Sequence, residues 1–173
     1  MIVGYAVLYK DGTLVISKKH SILSKKVRKR KDYGQFEDTN VPWKKESSQI
    51  KEVQILDQVK SNYLKKWFED CINLTTLINF QNLDTSDCTN FSKMFSFCTS
   101  LQDISALESW NVSNGKYFSS MFRYCTSLQN ISLPNSLRCL DENMFKDCNP
   151  NLKIRWKQYL YTYADLLEYK KIY

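Results

Sequence analysis

Glycine and proline are scarce, with 4 and 3 residues in a chain of 173. A low-complexity or loop-only protein needs many more of both, so that class is excluded. Histidine occurs once, as His20, with no carboxylate or thiol beside it in sequence. A histidine-based triad therefore has little support. No run of 18 apolar residues exists, so no segment is expected to span a membrane. P-loop, GxGxxG, HExxH and CxxC patterns are missing, as is any Cys/His spacing that would suit a metal. The first residues, MIVGYAVLYKDG, lack the basic, apolar and small-residue regions of a secretory signal. A cytoplasmic protein is expected, and its six cysteines are expected to stay reduced. No catalytic residue, cofactor or metal is expected, and the protein is not expected to be an enzyme.

What is present is a globular composition, 43% hydrophobic and 14% aromatic. The net charge of +7 is concentrated at one end. Residues 1–50 carry 11 Lys/Arg against 5 Asp/Glu, while residues 51–173 are nearly balanced. An anionic partner would meet the first part of the chain. Within it, KKHSILSKKVRKRK at 18–31 holds eight basic residues: Lys18, Lys19, Lys25, Lys26, Arg28, Lys29, Arg30 and Lys31. Such a run repels itself, so 18–49 is read as a basic loop or arm. Two functions stand open for it: contact with phosphates or an acidic protein face, and mere solvation.

An internal repeat organises the rest. WFEDCINLTTL at 67–77, MFSFCTSLQDI at 94–104, MFRYCTSLQNI at 121–131 and MFKDCNPNLKI at 144–154 align at offsets of 27, 27 and 23. Upstream, LDTSDCTNFSK at 83–93 matches WNVSNGKYFSS at 110–120. Phe91, Met94 and Phe95, like Phe118, Met121 and Phe122, lie at i, i+3, i+4, the inward stripe of a helical turn. Leu101 and Ile104, then Leu128 and Ile131, suit the core side of a strand. The fold class expected from this period is an α+β repeat: a short solenoid with one strand and one helical turn per coil. An N-terminal β-hairpin at 1–17 is expected around Lys10-Asp11-Gly12. The repeats would fill 50–156, and 157–173 would form a helical cap in which Leu166, Leu167 and Tyr169 close the stack.

The string LDTSDCTNFSKMFSFCTSL, and the match from Leu83 to Leu128 as a whole, resembles the BspA-type leucine-rich repeat family. That resemblance implies a leucine-rich-repeat solenoid and a protein-binding role. Unlike members of that family, this protein is expected to carry neither a signal peptide nor a wall anchor.

Cys71, Cys98, Cys125 and Cys148 hold equivalent places and are read as a structural ladder. Rungs about 4.8 Å apart spread four sulfurs over roughly 14 Å. Tetrahedral zinc needs each sulfur about 2.3 Å from one point, so a zinc site is excluded. Cys88 and Cys139 lie outside the ladder. Candidate binding positions on the repeat surface are Gln102, Asp103, Glu108, Trp110, Gln129 and Asn130; Trp110 replaces Leu83 of the preceding repeat, so a core role also stands open for it. The function expected is non-enzymatic protein binding. The alternative is a phage- or mobile-element-encoded, anti-CRISPR-like inhibitor that occludes a host nucleoprotein. A protein partner is expected first, with nucleic acid or nucleoprotein possible through the basic arm, and no membrane.

Overall fold

A computed structural model describes residues 2–19, 29–138, 140–141 and 143–169. Strands β1 (Ile2–Tyr9) and β2 (Thr13–Ser17) pair antiparallel about Lys10-Asp11-Gly12. Gly12 has φ 96°, and an added Cβ would lie 2.7 Å from the Gln49 carbonyl oxygen, so both conformation and space require glycine. Strand β3 (Lys29–Glu37) lies antiparallel on the other side of β1. Strands β4 (Glu52–Ile55) and β6 (Thr76–Ile78) add to β2 in parallel. The result is a mixed five-stranded sheet in the order β3-β1-β2-β4-β6.

Strands β5 (Val59–Lys60) and β7 (Leu83–Asp84) form a two-stranded parallel sheet. At the far end, β8 (Asn130–Ser132) runs parallel to β9 (Lys153–Trp156), and β10 (Tyr159–Thr162) runs antiparallel to β9. Short 3-10 turns cover Lys44–Gln49, Phe80–Asn82 and Ser105–Leu107. Helix α1 (Tyr163–Tyr169) closes the described chain.

This corrects the fold class. The leucine-rich-repeat solenoid with a helical turn in each coil is not found. The sheets are mixed, and α1 is the sole α-helix among the described residues. Where helical turns were expected, the Met-Phe-x-x-Cys segments are successive tight turns. Within each, an N–H bonds back three residues: Met94 to Phe91, Cys98 to Phe95, Met121 to Phe118 and Cys125 to Phe122. Alternate N–H groups leave the segment altogether. Phe68 donates to Met94 O, Phe95 to Met121 O and Phe122 to Met144 O, each at 2.9 Å. A helix would have kept those bonds internal. A three-residue return also brings i, i+3 and i+4 to one side, so the apolar spacing is the same for both conformations. The closing role expected of Leu166, Leu167 and Tyr169 concerns side chains outside the described ones.

The turns demand left-handed backbone, and the chain supplies it without glycine. Lys66, Lys93 and Ser120 have φ of 65°, 58° and 59°, and Asp70, Phe97, Tyr124 and Asp147 have 64°, 64°, 60° and 61°. Each such residue costs about 1–2 kcal/mol, which the bonds between segments offset.

The core follows from this stacking. Phe68, Phe95, Phe122 and Phe145 are buried in a column with centroid spacings of 5.4, 5.6 and 5.4 Å. Trp43 extends it at 6.3 Å from Phe68. Phe91 and Phe118 stack beside it at 5.0 Å, their planes 3° apart. Each of the four tryptophans donates its indole N–H to a carbonyl: Trp43 to Trp67 O, Trp67 to Asp38 O, Trp110 to Phe80 O and Trp156 to Leu137 O. Large rings can thus be buried without leaving an unpaired donor.

Part of the basic segment at 18–49 is structured rather than a free arm. Lys29, Arg30 and Lys31 belong to β3, and Lys44–Gln49 form a 3-10 turn. The charge run masked two anchors that follow it. Phe36 is buried 5.1 Å from Trp43 and 5.6 Å from Trp67, and Tyr33 lies 6.2 Å from Trp43. Lys18 and Lys19 are exposed after β2, whereas Lys25, Lys26, Arg28 and His20 lie outside the described residues.

Two stability outcomes follow. Phe95→Ala should cost about 3–5 kcal/mol in urea unfolding. Phe97→Ala, two residues on and 40% exposed, should cost far less. Lys93→Gly should raise stability by up to about 1 kcal/mol, because it relieves a left-handed non-glycine residue.

Candidate binding groove

Strands β8 and β9 alternate inward and outward. Ile131 and Ile154 point into the core, while Asn130 sits beside Lys153, and Ser132 beside Arg155, on the outer face. Strand β10 extends both rows, with Leu160 opposite Arg155 and Thr162 opposite Lys153. The same face holds Asp103 and Ser105, one repeat earlier than Asn130 and Ser132. The Asp103 carboxylate accepts from Ser105 N at 2.7 Å and from Ser105 Oγ at 2.9 Å. That local turn starts a 3-10 turn where a strand could have linked β6 to β8.

A groove of about 310 Å³ opens at this interruption, lined by Asp103, Ser105, Glu108, Asn130, Ile131, Ser132, Lys153, Arg155 and Leu160. Asp103 and Glu108 give one side a negative charge, and Lys153 and Arg155 give the other a positive one. None of these four forms an ion pair among the described residues. Leu160 is 60% exposed, a large apolar side chain at the groove's edge.

Three of the six surface positions singled out in sequence, Asp103, Glu108 and Asn130, therefore meet in one place. Gln102 and Gln129 are exposed but do not line the groove. Trp110 is corrected: it is 4% exposed and stacks on Phe80 at 6.1 Å. It takes the place of Leu83 one repeat earlier, which is a core position. Ser105, Ser132, Lys153, Arg155 and Leu160 were missed. For all but Leu160 the signal existed in the register, since Asp103, Asn130 and Lys153 share one repeat position, and Ser105, Ser132 and Arg155 another.

The cysteines occupy a separate, interior line. Cys71, Cys98 and Cys125 are buried and Cys148 half-buried, all as free thiols. The thiols of Cys98, Cys125 and Cys148 donate to the carbonyls of Phe68, Phe95 and Phe122 at 3.2, 3.1 and 2.9 Å. Burial pushes Cys98 and Cys125 well above an ordinary thiol, Cys88 to about 12 and Cys148 to about 11. Groups held protonated in this way are poor nucleophiles at neutral pH. Cys139 lies outside the described residues. No cluster of three or more His, Cys, Asp or Glu that could hold a metal occurs among the described residues. No helix among them is long and apolar enough to cross a membrane.

The family described as DUF285, a Mycoplasma protein of unknown function, matches residues 36–156. The chain belongs to the DUF285 family. The matched span begins within β3 and ends with β9, so it contains the whole set of stacked turns and two of the groove's three strands. Membership in DUF285 replaces the BspA-type leucine-rich repeat assignment. It also leaves the anti-CRISPR-like phage inhibitor without support, and β3 takes up part of the basic arm on which that reading stood. Neither a curated protein nor a solved structure matches this DUF285 chain.

The raised thiols set a pH dependence. A thiol whose folded value lies above its unfolded value of 9.0 favours the fold fully below pH 9. That contribution is lost as pH rises through about 11 for Cys148 and about 12 for Cys88. Urea midpoints should therefore fall between pH 9 and 12, and fall less steeply in Cys88→Ala than in the unaltered chain. Equal slopes would show that Cys88 does not contribute.

Proposed function

We propose that this DUF285 chain is a non-catalytic protein-binding module whose groove over β8 and β9 takes an extended segment of a partner protein. One observation carries the proposal: opposite charges, with no ion pair to each other or to other described residues, face one another across a groove edged by exposed Leu160. A partner segment bearing both signs of charge would pair with Asp103 and Glu108 on one side and Lys153 and Arg155 on the other. Opposed charges of this kind set orientation and exclude wrong partners more than they add affinity. An apolar residue of the partner would rest on Leu160, supplying the desolvated contact that fixes a short segment. The paired strands β8, β9 and β10 hold the groove's side chains in register, which favours binding because little ordering remains to be done.

Zero-length carbodiimide cross-linking of the chain in native extract tests this. Lys153, Asp103 or Glu108 should appear in the cross-linked peptides. The Lys153→Glu/Arg155→Glu pair should weaken capture of the same partner by at least about tenfold, some 1.4 kcal/mol. Cross-links confined to other surfaces, or capture that the charge reversal leaves unchanged, would remove the groove from the function.

A further inference from the structure

On a surface that shares no residue with the groove, the turn segments present a second cleft of about 410 Å³, lined by Lys65, Lys66, Asn90, Ser92, Lys93, Tyr117 and Ser119. That size lies within the range of small-molecule sites, roughly 300–1,000 Å³. No carboxylate lines the cleft. Lys66 approaches Glu69 at 3.5 Å, while Lys65 and Lys93 form no ion pair among the described residues. Lys116, beside Tyr117 in sequence, is exposed and likewise without an ion pair among the described residues, whereas other basic residues are paired. Lys44 is tied to Glu69 and Asp70, Lys60 to Asp87, and Arg123 to Asp147.

The lysines are held where they are by the fold. Lys66 and Lys93 occupy equivalent left-handed positions, and their N–H groups donate to Ser92 O and Ser119 O at 3.1 and 3.0 Å. Successive turns thus set two ammonium-bearing residues one above the other, with Lys65 alongside. Asn90 uses its Oδ1 to accept from Ser92 N at 2.9 Å, which leaves its amide N–H groups as donors. Tyr117 pairs with Asn90 through an isolated parallel bridge. Tyr117 is 58% exposed, and its ring makes no ring contact among the described residues.

We infer that this cleft binds a sugar carrying a phosphate or sulfate group, with the anion on Lys65 and Lys93 and the sugar ring against Tyr117. The lysines, Asn90 and the two serine hydroxyls are donors suited to a tetrahedral oxyanion. The exposed ring offers an apolar face to a sugar's C–H groups. A nucleic-acid strand fits less well, because it needs basic residues repeated along a track, and Lys44, Lys60 and Arg123 are already paired to carboxylates, which leaves Lys116 alone to extend one.

Amide NMR titration with glucose 6-phosphate, N-acetylglucosamine 6-sulfate, glucose, inorganic phosphate and an eight-residue oligothymidylate tests the inference. The two charged sugars should shift the amides of Lys65, Ser92, Lys93, Tyr117 and Ser119, and the stronger of them identifies the anion. Lys93→Glu should weaken that binding at least tenfold. Tyr117→Ala should weaken the charged sugar several-fold and leave inorganic phosphate unchanged. Both positions are exposed, and retention of the native amide pattern checks that each variant is folded. Overturning results would be no shifts, equal binding of neutral glucose, binding that survives both substitutions, or tighter binding of the oligonucleotide at the same lysines.

Discussion

The N–H groups of Phe68, Phe95 and Phe122 each reach out of their own turn to a carbonyl of the next one, and much of the interior depends on that choice. An amide committed to a neighbouring segment cannot close a helix, so the chain must return through tight turns. The turns require left-handed residues at Lys66, Lys93 and Ser120, and at Asp70, Phe97, Tyr124 and Asp147. Once the segments are locked at this spacing, the phenylalanine rings have no option but to stack, and the thiols of Cys98, Cys125 and Cys148 fall under the carbonyls of Phe68, Phe95 and Phe122. Each ring pair adds about 0.5–1.5 kcal/mol beyond the area it buries. The strain at the left-handed residues is therefore spread over bonds and contacts that repeat with it.

What the sequence made legible was position rather than conformation. The register of Phe68, Phe95, Phe122 and Phe145 could be read from spacing alone, because burial selects residue type at each repeated place. The backbone that buries them could not. Helical turns and chained three-residue turns bring the same residues inward, and what separates them is where an N–H points, which side-chain chemistry does not record. Glycine would have betrayed left-handed positions, but lysine, serine, aspartate, phenylalanine and tyrosine stand there instead. Strand β3 was obscured for a different reason. A run of like charge outweighed Tyr33 and Phe36, although an edge strand is where an exposed lysine such as Lys31 is tolerated, since it discourages pairing with another chain.

The groove was legible in part and for the same reason. Asp103, Glu108 and Asn130 stood out because they are polar beside a repeated core, but Lys153 and Arg155 sit in the last copy, where the offset shortens to 23 and the register is harder to carry forward. Trp110 stood out too, and there the departure from leucine meant a larger core side chain with a carbonyl to bond. Departure from a repeat thus marks a surface residue or an interior adjustment, and only the direction of the side chain distinguishes them.

Asp103 links the fold to the groove. By accepting from Ser105 N and Oγ, its carboxylate turns the chain away from extended geometry between β6 and β8. The five-stranded sheet ends on one side of that point and the three-stranded sheet begins on the other. The same carboxylate that interrupts the ladder also supplies negative charge to the groove that the interruption opens. Its two roles separate under substitution: asparagine keeps an oxygen to accept from Ser105 and loses the charge, while alanine loses both. A binding defect common to both substitutions would belong to the charge, and one confined to alanine would belong to the turn.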